Sequence, residues 1–88
     1  MPLFMDMHTV DGGASVDDVA RAHMADLQTQ GTYHVSYLRY WVDEVRGKVF
    51  CLVEAPDAAA AVAVHRKAHG LVADEIYLVL EGLRQRLT

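Results

Sequence analysis

A single cysteine, Cys51, rules out an intrachain disulfide in this 88-residue chain, and nothing in its cysteine usage points to an oxidising compartment. Proline is as sparse, at 2 residues, and with 52% hydrophobic and 23% charged residues the chain is neither disordered nor of low complexity. Basic charge is in deficit: 8 Lys and Arg against 12 Asp and Glu leave a formal charge of -4, with the two signs interspersed. No basic stripe is available to neutralise phosphates, so nucleic acid is not expected as a partner. Long apolar runs are missing too. Met1-Pro2-Leu3-Phe4-Met5-Asp6 has neither the basic start nor the apolar stretch of a signal peptide, and no segment reaches membrane-spanning length. A leaderless, soluble, cytoplasmic chain with no membrane partner is therefore expected. There is no phosphate-binding loop, since Asp11-Gly12-Gly13 precedes a helix but lacks the fingerprint spacing and a lysine. No pairing of nucleophile with base stands out.

What is present is a core. At 88 residues one domain is expected over 1–88, with 81–88 a polar tail that is either a short helix or frayed. So small a chain leaves apolar sequence on its surface, and the simplest cover for such a face is a second copy, a homodimer. Leu3 to Thr9 reads as a strand closed by the Asp11-Gly12-Gly13 turn. Ser15 and Asp18 form a capping signal for a helix that runs to about Gln30 and stops at Gly31. His34 to Asp43 and Lys48 to Glu54 read as a hairpin, and Pro56-Asp57 opens an alanine-rich helix to His69, with Gly70 as its cap. Asp74 to Leu80 gives the last strand.

The order βαββαβ with right-handed crossovers predicts an α+β, ferredoxin-like domain, with two helices on one face of a four-stranded antiparallel sheet. Phe50 and Leu52 oppose Val49, Cys51 and Val53 on their strand, so neither sheet face is solvent-adapted. A second subunit on the helix-free face would give a two-sheet dimer of the dimeric α/β barrel type.

At roughly 100° per residue, Val16, Val19, Ala20, His23 and Leu27 share one arc of the first helix, with Asp26 and Gln30 at its edge. On the second helix Ala58, Ala61, Val62, Val64, His65, Ala68 and His69 gather on the inner side. His65 and His69 are four apart and can bind one ion. Asp6 and His8 share a strand face. The topology brings His8, His65 and His69 to one edge of the sheet, with His23 lower on its helix and Asp74 and Glu75 within reach. Imidazole and carboxylate without a thiolate pair suit Ni, Zn, Co or Cu better than Mg or Ca.

Each of these residues also has a plainer role. His23 can be a hydrogen-bonded core residue, His69 a helix cap, and Asp6 a salt-bridge partner of Arg39 or an exposed residue at the sheet edge. His34 reads as surface, and Cys51 as a small inert hydrophobe. Tyr37, Leu38, Tyr40 and Trp41 read as core and interface.

Met5-Asp6 with His8, Ala22-His23 with Asp26-Leu27 and Gln30, Tyr37-Leu38-Arg39-Tyr40-Trp41, Val49 to Pro56, and Ala63-Val64-His65 with Ala68 to Glu75 together resemble the small nickel-responsive, nickel-binding proteins of actinobacteria, a domain of unknown function. The resemblance runs from Pro2 to about Leu80. It implies a dimeric ferredoxin-like fold that binds nickel through histidine and carboxylate side chains. On this footing Asp6, His8, His23, Asp26, His65, His69 and Glu75 are the candidate ligands of a nickel ion, or another divalent transition metal. The protein is then non-enzymatic and serves metal storage, sensing or detoxification, releasing its ion as pH falls through about 6 to 7, the range of free histidine. The alternative is a small dimeric α/β barrel enzyme in which His23, Tyr37 or Asp6 does acid–base work on a small organic substrate. A pure dimerisation module is a third reading.

Overall fold

A computed structural model describes residues 1–82; of the expected polar tail, residues 83–88 lie outside the described residues. The elements follow as β1 (Leu3–Thr9), α1 (Val16–Thr29), β2 (Ser36–Asp43), β3 (Lys48–Glu54), α2 (Ala58–Ala68) and β4 (Glu75–Val79), in one antiparallel sheet of order β2-β3-β1-β4. This is the ferredoxin-like α+β arrangement that the order of elements predicts.

Local chemistry sets the ends of the elements. Ser15 Oγ accepts the Asp18 N–H at 3.1 Å and Asp57 Oδ1 accepts the Ala60 N–H at 2.8 Å, so each helix starts on a side-chain cap. The exit from α1 is longer than Gly31 alone suggests. A 3-10 turn, Gln30–Tyr33, follows the helix, and His34 closes it in the left-handed region at φ 57°, so β2 begins at Ser36 instead of His34. Between β2 and β3, Gly47 sits at φ +66°, and a Cβ there would stand 2.7 Å from the Val10 carbonyl oxygen. Only glycine allows the hairpin turn to approach the end of β1 this closely.

Alternation along the strands decides which side chains meet the helices. Phe4, Asp6 and His8 of β1 are buried, as are Val49, Cys51 and Val53 of β3, and the core closes with Val35, Tyr37, Ala55, Ala61 and Val64. Packing departs from the helical wheel on α1: Leu27 is 42% exposed, and the buried residue of that helix is Asp26. The opposite sheet face carries Met5, Trp41 and Phe50 around a shallow groove. Among the described residues no helix is long and apolar enough to cross a membrane.

Candidate metal centre

Asp6 lies on β1, a central strand, and is fully buried. A buried carboxylate must find partners, and here they come from three elements. His8, two residues along the same strand face, brings Nε2 to 3.1 Å from Oδ1. His65 of α2 brings Nε2 to 3.0 Å from Oδ2, and the Tyr37 hydroxyl of β2 lies 3.1 Å from the same oxygen and 3.0 Å from the Ala61 carbonyl. Neither a bond to Arg39 nor a place at the sheet edge applies to Asp6. Burial alone would raise the pKa of Asp6, but hydrogen bonds from His65 and His8, and their charge, hold the carboxyl well below the usual range.

The second nitrogen of His65, Nδ1, stands 2.9 Å from Asp26 Oδ1. An ionised carboxylate only accepts hydrogen bonds, so both ring nitrogens of His65 donate and the ring is an imidazolium between two carboxylates. Burial opposes that charge; the bonds to Asp26 and Asp6 and their negative charge outweigh it and lift His65 to about 9. Asp26 answers in kind: burial would raise it, and His65 with His69 lowers it.

His69 caps α2 differently. Its Nδ1 accepts the Leu71 N–H at 3.1 Å, so the neutral ring carries its proton on Nε2. That atom is 3.1 Å from Asp26 Oδ1 but out of line for a hydrogen bond, and it is buried without a partner.

Two donor groups result. Asp6, His8, Cys51 and His65 each offer an atom such that all lie within 4.8 Å of one another, and Asp26, His65 and His69 form the second group on the same criterion. Cys51, expected from the sequence as a small inert hydrophobe, is a member of the first group. It stands directly opposite Asp6 in the β1/β3 register, and burial together with that carboxylate pushes its thiol up. Only knowledge of the strand register reveals the pairing.

The remaining candidates separate from the cluster. His23 packs at a tilt of 45° against Tyr40 with ring centroids 4.7 Å apart and borders the adjoining cavity, and burial lowers its proton affinity. It belongs to neither donor group. Glu75, expected among the ligands, lies elsewhere: it pairs with Met7 in the β1/β4 register, which puts it on the helix-free face, where it is exposed and accepts the Tyr77 hydroxyl. Asp74 accepts the Thr9 N–H at 2.6 Å and so ties β4 to the end of β1. Of the acid–base trio His23, Tyr37 and Asp6, only His23 borders the cavity.

Residues 4–79 match the model of a family described as nickel responsive protein SCO4226-like. Among solved structures, the chain is similar to the crystal structure of SCO4226 from Streptomyces coelicolor A3(2), at 37% sequence identity and a TM-score of 0.85, over 92% of this chain and 99% of that one. No curated protein matches the sequence.

Proposed function

Because the chain belongs to the SCO4226-like nickel-responsive family, we propose that it is a non-enzymatic protein that binds a divalent transition ion of the nickel type as cargo. Asp6, His8 and His65 would hold the ion, with Cys51 as fourth donor. One observation carries this reading: Nε2 of His8 and Nε2 of His65 converge on the two oxygens of Asp6, while Asp26 takes the other His65 nitrogen. A carboxylate that keeps the proton on Nδ1 frees Nε2 for an ion, the pairing that orients histidines at metal centres. Asp26 is thereby an orienting residue and His69 its companion.

Charge supports the same reading. Asp6 and Asp26 against one imidazolium leave the cluster one negative charge in excess, and a divalent ion that displaces both the imidazolium proton and the Cys51 thiol proton leaves that balance unchanged, so loading adds no net charge to the buried cluster. Imidazole, carboxylate and thiol together suit Ni, Zn, Co or Cu over Mg or Ca. The homodimer belongs to this proposal as well. Trp41, Phe50 and Tyr77 remain 46%, 36% and 49% exposed on a face that a second copy would cover.

Isothermal titration of the metal-free protein with nickel tests the site. Saturable binding is expected, lost in His8→Ala and in His65→Ala and kept in Glu75→Gln. Wild-type binding no tighter than that of the His8→Ala, His65→Ala double variant overturns the reading.

A further inference from the structure

An ion held by three or four side chains needs only a few ångströms of space, yet the donor cluster opens onto a cavity of about 540 Å³. Sites for small organic molecules span roughly 300–1,000 Å³. His8, Cys51 and His65 line this cavity and Asp6 does not, so the carboxylate closes the cluster from behind. An ion held there would be reached from the cavity side, as at sites that exchange or present a ligand rather than at sealed structural ones.

The cavity walls are apolar where the floor is polar. Val19 and Ala22 come from α1, Val49 from β3, and Leu71 and Val72 from the loop between α2 and β4. Leu71 is 57% exposed and Val72 37%, apolar side chains that line the cavity and still reach solvent. Water alone on the ion would leave these walls wet.

We propose that the ion is co-ligated by a small amphipathic molecule, which presents one neutral nitrogen or oxygen donor to the metal and lays an aliphatic or aromatic body against Val19, Ala22, Val49, Leu71 and Val72. The inference rests on the metal-binding reading above. The cargo is then a metal with its organic ligand, and the apolar wall selects that ligand.

Imidazole and 4-phenylimidazole offer the same donor nitrogen, and only the second carries an apolar body. In titrations of nickel-loaded protein the phenyl group is expected to tighten binding roughly 30- to 100-fold, the gain from burying about one ring of apolar surface. The Leu71→Ser, Val72→Ser double variant, which removes apolar surface at the exposed mouth without adding charge, is expected to bind nickel as the wild type does and to lose most of that gain. Equal affinity for the two probes, with nickel binding intact, overturns the inference alone. Equal binding of 4-phenylimidazole to loaded and metal-free protein overturns co-ligation by the ion. Failure to take up nickel at all overturns the metal-binding reading and this inference with it.

Discussion

Raising the pH from 7 to 9 should tighten nickel binding by about two orders of magnitude for each proton the ion displaces. His65 is the first source of such a proton, because Asp26 and Asp6 outweigh the effect of burial and hold it as an imidazolium up to about 9. At pH 7, two units below that value, removing the proton costs about 2.7 kcal/mol at ~1.36 kcal/mol per unit, a factor of about 100. Cys51 is the second source: its thiol is pushed up by burial and by Asp6, so binding as thiolate releases one more proton. The logarithm of affinity against pH should have a slope near two in the wild type and near one in Cys51→Ser. Competition with a colorimetric chelator at each pH measures the slope, and calorimetry in buffers of different ionisation enthalpy counts the protons. Affinity that is flat above pH 7, as free histidines would give, refutes the imidazolium; a wild-type slope of one removes Cys51 as a thiolate ligand. Stability of the metal-free protein should move the other way. The folded-state value of His65 lies above its ordinary 6.5, so its stabilisation is complete below about pH 6.5 and is lost as pH rises through about 9. Thermal melts of the metal-free protein should therefore shift downward across that window.

Asp26→Asn removes the charge that orients His65 and should weaken nickel binding about 10- to 100-fold with unchanged stoichiometry, read by titration. Asp6→Asn strips a fully buried partner from an imidazolium and should destabilise the metal-free fold by about 3 kcal/mol or more in urea unfolding; a loss under about 1 kcal/mol contradicts the ion-pair account. Gly47→Ala places a methyl 2.7 Å from the Val10 oxygen at a positive φ and should lower stability by about 1–3 kcal/mol in the same assay. Phe50→Asp puts a charge on the helix-free sheet face and should convert the proposed dimer to monomer in size-exclusion with light scattering, whereas a monomeric wild type removes the dimer from the proposal.

Short-range rules in the sequence were enough for the order of elements. The caps at Ser15 and Asp57 and the strand alternation of β1 work over a few residues, so they read directly from the chain. The same rules placed Asp6 and His8 on one face and His65 on the inner side of α2, and crossover handedness then brought them together. Tertiary packing alone decided the rest. The wheel on α1 favours Leu27 inside, but Asp26 is only 2% exposed there because the His65 imidazole of α2, distant in sequence, supplies a hydrogen bond that offsets its burial, with His69 Nε2 3.1 Å away. Cys51 faces inward by alternation, yet its meeting with Asp6 depends on the β1/β3 register. Glu75 lies beside the candidate site in sequence logic and away from it in fact, because pairing with Met7 assigns it to the other face of the sheet. A register slip of one residue would reverse both outcomes without altering any local signal. Asp6, His8 and His65 are thus legible in the chain, whereas the place of Cys51 beside them is a property of strand pairing.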